Sequence, residues 1–154
     1  MIDVDRQKHS LAVARKMVEI GKEKGLKNHQ LTDLFTIGYN HDIGYEFSDN
    51  TGKDHGKIGG FILKQTGFKF WEEIYYHGEP NIKGHTKGLN KLYLDILNQA
   101  DMQIDKYGND VGINKRLEDI KSRYGEDSEV YKKCKALINS FSKKEDYEKQ
   151  ISDL

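Results

Sequence analysis

Histidine and aspartate side chains recur along the first two thirds of this chain in an order that suits metal binding. Imidazole nitrogens and carboxylate oxygens together form a ligand set that proteins use for first-row divalent transition metals. The residues are, in chain order, His9, His41, Asp42, His55, His77 and Asp101. The sequence therefore predicts a pocket for one or two divalent ions, and the ligand types suit iron, manganese, nickel, cobalt or zinc.

These polar residues lie on the apolar faces of predicted helices, where an unpaired charge would be unfavourable. His9, for example, precedes Val13 by one helical turn on a face that continues to Met17. Burying Asp42 or Asp101 as an isolated carboxylate would cost several kcal/mol. A single inward histidine is usually a hydrogen-bonded core residue, but this many on different helices are better explained by a shared metal, which would satisfy imidazoles and carboxylates together.

Apolar periodicity predicts the helices that must position these residues. The predicted ranges are 5–24, about 29–43, 55–66, 68–77 and 89 to about 104. The second helix buries a face with Leu34 and Phe35, and His41 and Asp42 extend that face by one further turn. Residues 78–88 hold several glycines and the one proline of the chain, so they are predicted to form a loop.

Beyond residue 109 the sequence predicts further amphipathic helices, and no stretch shows the alternating pattern of a β-strand. The fold class is therefore all-α, a compact multi-helix bundle. A single domain over residues 1–154 is expected, with the metal-binding motifs in a core over about 5–107 and additional C-terminal helices over 110–152. His29 lies outside the metal-binding series and is predicted at the surface near a helix start.

Composition argues against several classes of function. Lysine plus arginine and aspartate plus glutamate number 25 each, so the net charge is zero and no nucleic-acid polymer is expected as a partner. No segment is apolar enough for a membrane span or an ordinary signal peptide, so no membrane partner is expected. The single cysteine, Cys134, fits a reducing cytoplasm. Apolar residues on the later helices are compatible with a homodimer or with simple packing.

The order of these motifs resembles that of the HD-domain metal-dependent phosphohydrolases, whose signature is a histidine, a later His-Asp pair and a distant aspartate. The matching residues are His9 in KHSLAVARKM, His41 and Asp42 in YNHDIGY, and Asp101 in LNQADMQID. His55 in DHGKIGG and His77 in YYHGEP resemble the additional histidines of members that bind two metals. The pattern is similar to the bacterial HD proteins that hydrolyse diadenosine tetraphosphate and, more distantly, to the HD-GYP phosphodiesterases, although the GYP element is absent.

The resemblance implies an arrangement for the metal site and its reaction. The first metal would be held by His9, His41, Asp42 and Asp101. Asp42 would bridge to a second metal held by His55 and His77. A metal-activated water would then hydrolyse a phosphate ester or anhydride. The residues expected to act in catalysis are Asp42, His55 and Lys57.

The resemblance and a locally basic middle segment together predict a small phosphorylated substrate, with a nucleotide as the leading expectation. The residues expected to contact it are Lys57, Lys83, His85 and Lys87. Many HD proteins carry a lysine shortly after the His-Asp pair, as in HDxGK, whereas this chain has Tyr45 at that position. That departure leaves the identity of the substrate open.

Two other functions are compatible with the sequence. A di-iron HD site can activate oxygen, so an oxygenase-type HD enzyme is the first alternative. A non-catalytic module that binds metal and nucleotide, and that signals through its C-terminal helices, is the second. The absence of the lysine after the His-Asp pair favours this second alternative.

Overall fold

Seven α-helices and one short 3-10 helix form the regular structure of the residues that the computed structural model describes, which are 4–47, 54–82 and 90–141. In chain order they are α1 (Val4–Glu23), α2 (Asn28–Asn40), the 3-10 helix (Ile43–Glu46), α3 (His55–Gln65), α4 (Trp71–Tyr76), α5 (Lys91–Asp101), α6 (Gly112–Tyr124) and α7 (Glu129–Asn139). The prediction of an all-α fold is confirmed. No helix in these ranges is long and apolar enough to cross a membrane.

The main hydrophobic core lies between α1, α2 and α5. Met17 of α1, Leu34 of α2 and Leu97 of α5 are fully buried in it. Helices α1 and α2 approach so closely that a Cβ on Gly38 would lie 2.6 Å from the Cα of Ala14. Glycine permits this approach because it has no side chain. The C-terminal end of α2 is thereby held against the middle of α1.

Helix α2 ends earlier than the sequence predicted. Its last residue is Asn40, and His41 caps the helix with a backbone N–H that donates to the carbonyl of Gly38. The predicted continuation to residue 43 was wrong, because the chain turns at the His-Asp pair and enters the 3-10 helix. The predicted burial of Phe35 was also wrong, since Phe35 is exposed while the buried face passes through Ile37.

The 3-10 helix packs against the start of α3 through two glycines. A Cβ on Gly44 would collide with the carbonyl oxygen of His55, and a Cβ on Gly59 would lie 2.9 Å from the Gly44 nitrogen. Helix α3 follows directly after Asp54, whose φ of 60° is left-handed and therefore uncommon for a residue with a side chain. A close contact and an unusual backbone conformation together hold His55 next to the His-Asp turn.

Helices α4 and α5 are shorter than predicted, and the residues after them therefore leave the helical path. Helix α4 ends at Tyr76, so His77 follows it in an extended conformation rather than within the predicted 68–77 helix. Helix α5 ends at Asp101, and the chain turns into an isolated antiparallel bridge between Ile104 and Asp110. The predicted extension of this helix to 104 was wrong, because the bridge replaces its last turn.

Helices α6 and α7 form a second, smaller hydrophobic cluster with the end of α5. Met102, directly after α5, packs there with Ile120 of α6 and Leu137 of α7. The side chain of Arg116 in α6 also donates a hydrogen bond of 2.9 Å to the carbonyl of Ile104. The C-terminal helices are thereby joined to the turn that follows α5.

Candidate metal centre

The predicted metal-binding residues converge on one site, which is formed mainly by the ends of helices. Their possible ligand atoms lie within 4.8 Å of one another in overlapping groups. The groups are His9 with His41 and Asp42, His41 with His77 and Asp101, and Asp42 with His55 and His77. They come from α1, the turn after α2, the start of α3, the residue after α4 and the end of α5. The structure thus brings the whole predicted set together.

The Asp42 carboxylate lies between two pairs of imidazoles. Its Oδ2 atom is 3.5 Å from His9 Nε2 and 3.3 Å from His41 Nε2. Its Oδ1 atom is 3.3 Å from His55 Nε2 and 3.6 Å from His77 Nε2. We call the side of Asp42 that faces His9 and His41 the inner half of the centre, and the side that faces His55 and His77 the outer half.

Asp101 completes the inner half, and its exposure differs from that of its neighbours. Its Oδ1 atom is 2.9 Å from His9 Nε2 and 3.4 Å from His41 Nε2. The side chains of His9 and His41 are almost fully buried, whereas those of Asp101 and His55 are 25% and 28% exposed. Asp101 and His55 thus point into the centre as predicted, but each has one side open to solvent.

Backbone carbonyls fix the orientation of three of the imidazoles. The Nδ1 atom of His9 donates to the carbonyl of Asp105 at 2.8 Å, that of His41 to Gly38 at 2.7 Å, and that of His77 to Ile74 at 2.6 Å. A carbonyl oxygen only accepts hydrogen bonds, so Nδ1 must carry the proton and Nε2 of the neutral ring carries the lone pair. This is the arrangement by which proteins orient histidines that ligate metals through Nε2.

Several contacts in the site would be unfavourable unless a cation lay among them. Within the described residues, the buried His41 Nε2 finds no hydrogen-bond partner, although carboxylate oxygens of Asp42 and Asp101 lie 3.3 Å and 3.4 Å away. His55 Nε2 and His77 Nε2 are only 3.0 Å apart, so His55 donates a hydrogen bond to His77 or both nitrogens face one cation. The mixed imidazole and carboxylate donors fit a divalent transition metal, and these buried groups could hold one.

The charges within the site shift the pKa values of its members. Burial disfavours the charged form of His9, but the hydrogen bond and charge of Asp101 outweigh burial and raise the pKa of His9. Asp42 raises the pKa of His77 in the same way, again against burial. Burial alone would raise the pKa of Asp42 and of Asp101, but the neighbouring imidazoles, His41 foremost, hold both well below the usual range. Protons on imidazoles thus supply positive charge that a bound metal would replace.

A cleft of about 290 Å³ opens beside the outer half of the centre. His55 and His77 line it, together with the exposed Lys57 that the sequence predicted to contact substrate. Lys133 of α7 also lines it and forms an ion pair of 3.3 Å with Glu79. Sequence reasoning missed Lys133, because it lies far beyond the recognised motifs and carries no pattern of its own. The other residues expected to contact substrate, Lys83, His85 and Lys87, lie outside the described residues.

Arg6 and Tyr45 also belong to the site, and sequence reasoning did not identify them as part of it. The Arg6 side chain donates a hydrogen bond of 3.2 Å to Asp42 Oδ2, and its guanidinium carbon lies 3.6 Å from the centroid of the Tyr45 ring. The Tyr45 ring stacks on His55 with centroids 4.2 Å apart. A signal for Arg6 was available, because it precedes His9 by three residues and therefore shares its face of α1.

The fold and the site together define an all-α protein with a buried, two-sided centre of histidines and aspartates. Residues 6–137 match the HD-domain family. Because this match covers most of the 154 residues, the chain belongs to the HD-domain family, whose members are typically metal-dependent hydrolases. The match extends beyond the predicted motif core into α7, and it gives no support to a closer relation with diadenosine tetraphosphate hydrolases. No curated protein and no solved structure matches the chain.

Proposed function

We propose that this protein hydrolyses a phosphate ester or anhydride by means of two divalent metal ions. The observation that carries this proposal is the position of Asp42, whose two oxygens face different pairs of imidazoles. A carboxylate placed in this way suits a bridging ligand, with His9, His41 and Asp101 on one metal and His55 and His77 on the other. Two bound metals would lower the pKa of an attacking water and neutralise charge on the phosphoryl oxygens.

The residues of the chain contribute mainly by holding their ligand atoms in place. Carbonyl groups of Gly38 and Ile74 fix the rings of His41 and His77, so little reorganisation is needed when metal binds. The partly exposed His55 side chain, which lines the cleft, supports a route for substrate from solvent to the centre. We infer that substrate approaches the outer half from this cleft.

The lining of the cleft supports a nucleotide as substrate. Lys57 and Lys133 offer positive charge for phosphate oxygens. Tyr75 and Tyr76 offer aromatic surface against which a base can pack. The volume of about 290 Å³ is near the lower end of ligand pockets, which run from roughly 300 to 1,000 Å³. We therefore favour a ligand with one nucleoside unit over a dinucleoside.

Elemental analysis of freshly purified protein, followed by a screen of nucleotides with added Mn²⁺, tests this function. We expect a transition metal in the purified protein and release of phosphate or nucleoside from at least one nucleotide. Asp42→Asn should abolish turnover, whereas Asp127→Asn, at an exposed position between α6 and α7, should not. Less than about 0.2 equivalents of metal, with none taken up on incubation, would contradict the proposal.

A di-iron oxygenase is the second function that the geometry favours, because a carboxylate between two groups of imidazoles also suits a pair of iron ions. The two lysines of the cleft favour phosphate chemistry instead. Anaerobic loading with Fe²⁺ and an oxygen-uptake assay with polyols and phosphonates separates the two. Metal binding without turnover in either assay would indicate a non-catalytic regulatory module.

A further inference from the structure

The contact between Arg6 and Tyr45 places a cation directly beside the metal centre. Arg6 reaches Asp42 Oδ2 at 3.2 Å, the same oxygen that faces His9 and His41. Its guanidinium carbon is 3.6 Å from the Tyr45 ring centroid, well within the range of a favourable cation–π contact. Among the described residues, a carboxylate and an aromatic ring from different elements therefore both hold Arg6 in place.

The Tyr45 ring is placed to hold a cation, because one face of the ring lies against the Arg6 guanidinium. The ring stacks on His55 with an interplanar angle of 26°. Arg6, Tyr45 and His55 thus form a chain of contacts that runs from the inner half to the outer half.

Tyr45 lies at a motif position where many HD proteins carry a lysine. It occupies the place where an HDxGK stretch would carry its lysine, so the positive charge of that lysine is missing from the 3-10 helix. Arg6 brings a positive charge to the same neighbourhood from α1, one turn before His9. A guanidinium also offers a planar pair of N–H donors that matches two oxygens of a phosphate group.

Metal binding would change the balance of charge around Asp42. In the inner half, Oδ2 is the carboxylate atom of Asp42 that faces the two imidazoles, and it is also the acceptor for Arg6. A divalent ion held by this oxygen would repel the guanidinium and weaken its bond to Asp42. The ring of Tyr45 would still retain the guanidinium near the centre, where a phosphate anion would provide its new partner.

We propose that Arg6 is the phosphate-binding cation of this site and that Tyr45 positions it, in place of the lysine that the motif lacks. The assignment rests on the proposed function, since it assumes that a phosphate group binds at the metals. It adds a specificity-determining residue from the first helix. Arg6 binds an oxygen of the reacting phosphate, and Tyr45 acts through Arg6.

Binding of inorganic phosphate to the Mn²⁺-loaded full-length protein, measured by isothermal titration calorimetry, tests this assignment without requiring turnover. Arg6→Gln should weaken phosphate binding by about tenfold to a hundredfold, with unchanged metal content by elemental analysis. Tyr45→Leu should weaken it by a smaller factor, while Tyr45→Phe, which keeps the ring, should match the wild type. Arg15→Gln is the control, because Arg15 is an exposed arginine on the same helix.

The motif lysine provides a rescue experiment. Adding Tyr45→Lys to Arg6→Gln should recover part of the lost phosphate affinity, and failure to recover any would show that Arg6 is not equivalent to that lysine. Phosphate affinity in Arg6→Gln equal to that of Arg15→Gln would overturn the proposal, as would a loss that merely follows loss of metal. So would a metal-loaded wild type that binds no phosphate. A wild type that binds phosphate but hydrolyses no nucleotide would contradict the proposed function alone, and the comparison of variants would still decide the role of Arg6.

Discussion

The inner and outer halves of the metal centre use the same kinds of ligand in different surroundings. In the inner half, His9 and His41 are buried and both are oriented by backbone carbonyls. In the outer half, His55 is partly exposed and lines the cleft. We propose from this difference that a metal in the inner half would be retained, whereas a metal in the outer half would exchange ligands with solvent and with the proposed substrate.

Removal of one imidazole from each half should change the metal content most strongly. His41→Ala should lower metal affinity by more than about a hundredfold, because loss of a residue that only hydrogen-bonds to a metal ligand can cost that much and His41 is a proposed direct ligand. His55→Ala should leave close to one equivalent of metal in the inner half. Elemental analysis after dialysis measures both, with His29→Ala, an exposed histidine, as the control. Equal metal loss in the His41 and His55 variants would show that the halves do not differ.

Substitution of Gly44 should disturb the outer half through the backbone of His55. In Gly44→Ala the new Cβ would collide with the carbonyl of His55, so α3 must shift and stability should fall by about 1–3 kcal/mol. Gly60→Ala would also crowd its surroundings, since its new Cβ would lie 2.5 Å from the Tyr75 Cβ. The atoms nearest to that new Cβ all belong to Tyr75, which is not a proposed metal ligand. We expect outer-half metal to be lost in Gly44→Ala and kept in Gly60→Ala, measured by elemental analysis alongside thermal unfolding. Retention of both metals in a destabilised Gly44→Ala would contradict the role given to this contact.

The pH dependence of stability should have opposite signs without and with metal. The pKa values of His9 and His77 are raised in the metal-free protein, so their contribution is complete below the unfolded value near 6.5 and is lost as pH rises through the folded values. Metal must displace those protons, so the metal-loaded protein should become more stable over the same rise. The lowered pKa values of Asp42 and Asp101 change the stability of the protein only in acidic solution.

Thermal unfolding between about pH 6 and pH 8 checks this prediction, with chelator in one series and Mn²⁺ in the other. The melting temperature should fall with pH in the first series and rise in the second. A fall of the same size in both series would mean that the two histidines keep their protons when metal is present, and would argue against them as ligands.

The smallest expected effect concerns the cleft beside the outer half. Lys133→Gln should raise the KM for a nucleotide substrate by a few-fold and leave kcat close to that of the wild type, because Lys133 is exposed and already paired with Glu79. Lys132→Gln, at the neighbouring exposed position of α7, should change neither. An unchanged KM in Lys133→Gln would show that Lys133 of α7 does not contribute to substrate binding.

Sequence reasoning predicted the fold class and the members of the metal centre, because helical periodicity and residue type are local properties. It placed α1 and α3 to within a residue or two. It extended α2 and α5 too far, because apolar spacing continues through residue 43 and residue 104 although the chain turns there. Helix ends depend on tertiary contacts, such as the approach of Gly44 to α3, which no periodicity reveals.

The parts of the site that sequence reasoning missed depend on contacts between distant segments. Arg6 meets Tyr45 and Asp42 only because α1 and the 3-10 helix lie side by side. Lys133 enters the cleft because α7 lies near Glu79. The family resemblance implied that Asp42 lies between two groups of ligands. The distances from its two oxygens to the imidazoles are known only from the structure.

The cleft beside the outer half is lined by residues from segments of both hydrophobic clusters. Lys133 belongs to a helix of the smaller cluster, whereas the histidines of the centre are carried by segments around the main core. Under the proposed function, substitutions in α7 would therefore alter which molecules the cleft accepts and leave the proposed metal ligands in place. Part of the choice of ligand is thereby encoded apart from the residues that would hold metal, so that part can change at its own rate.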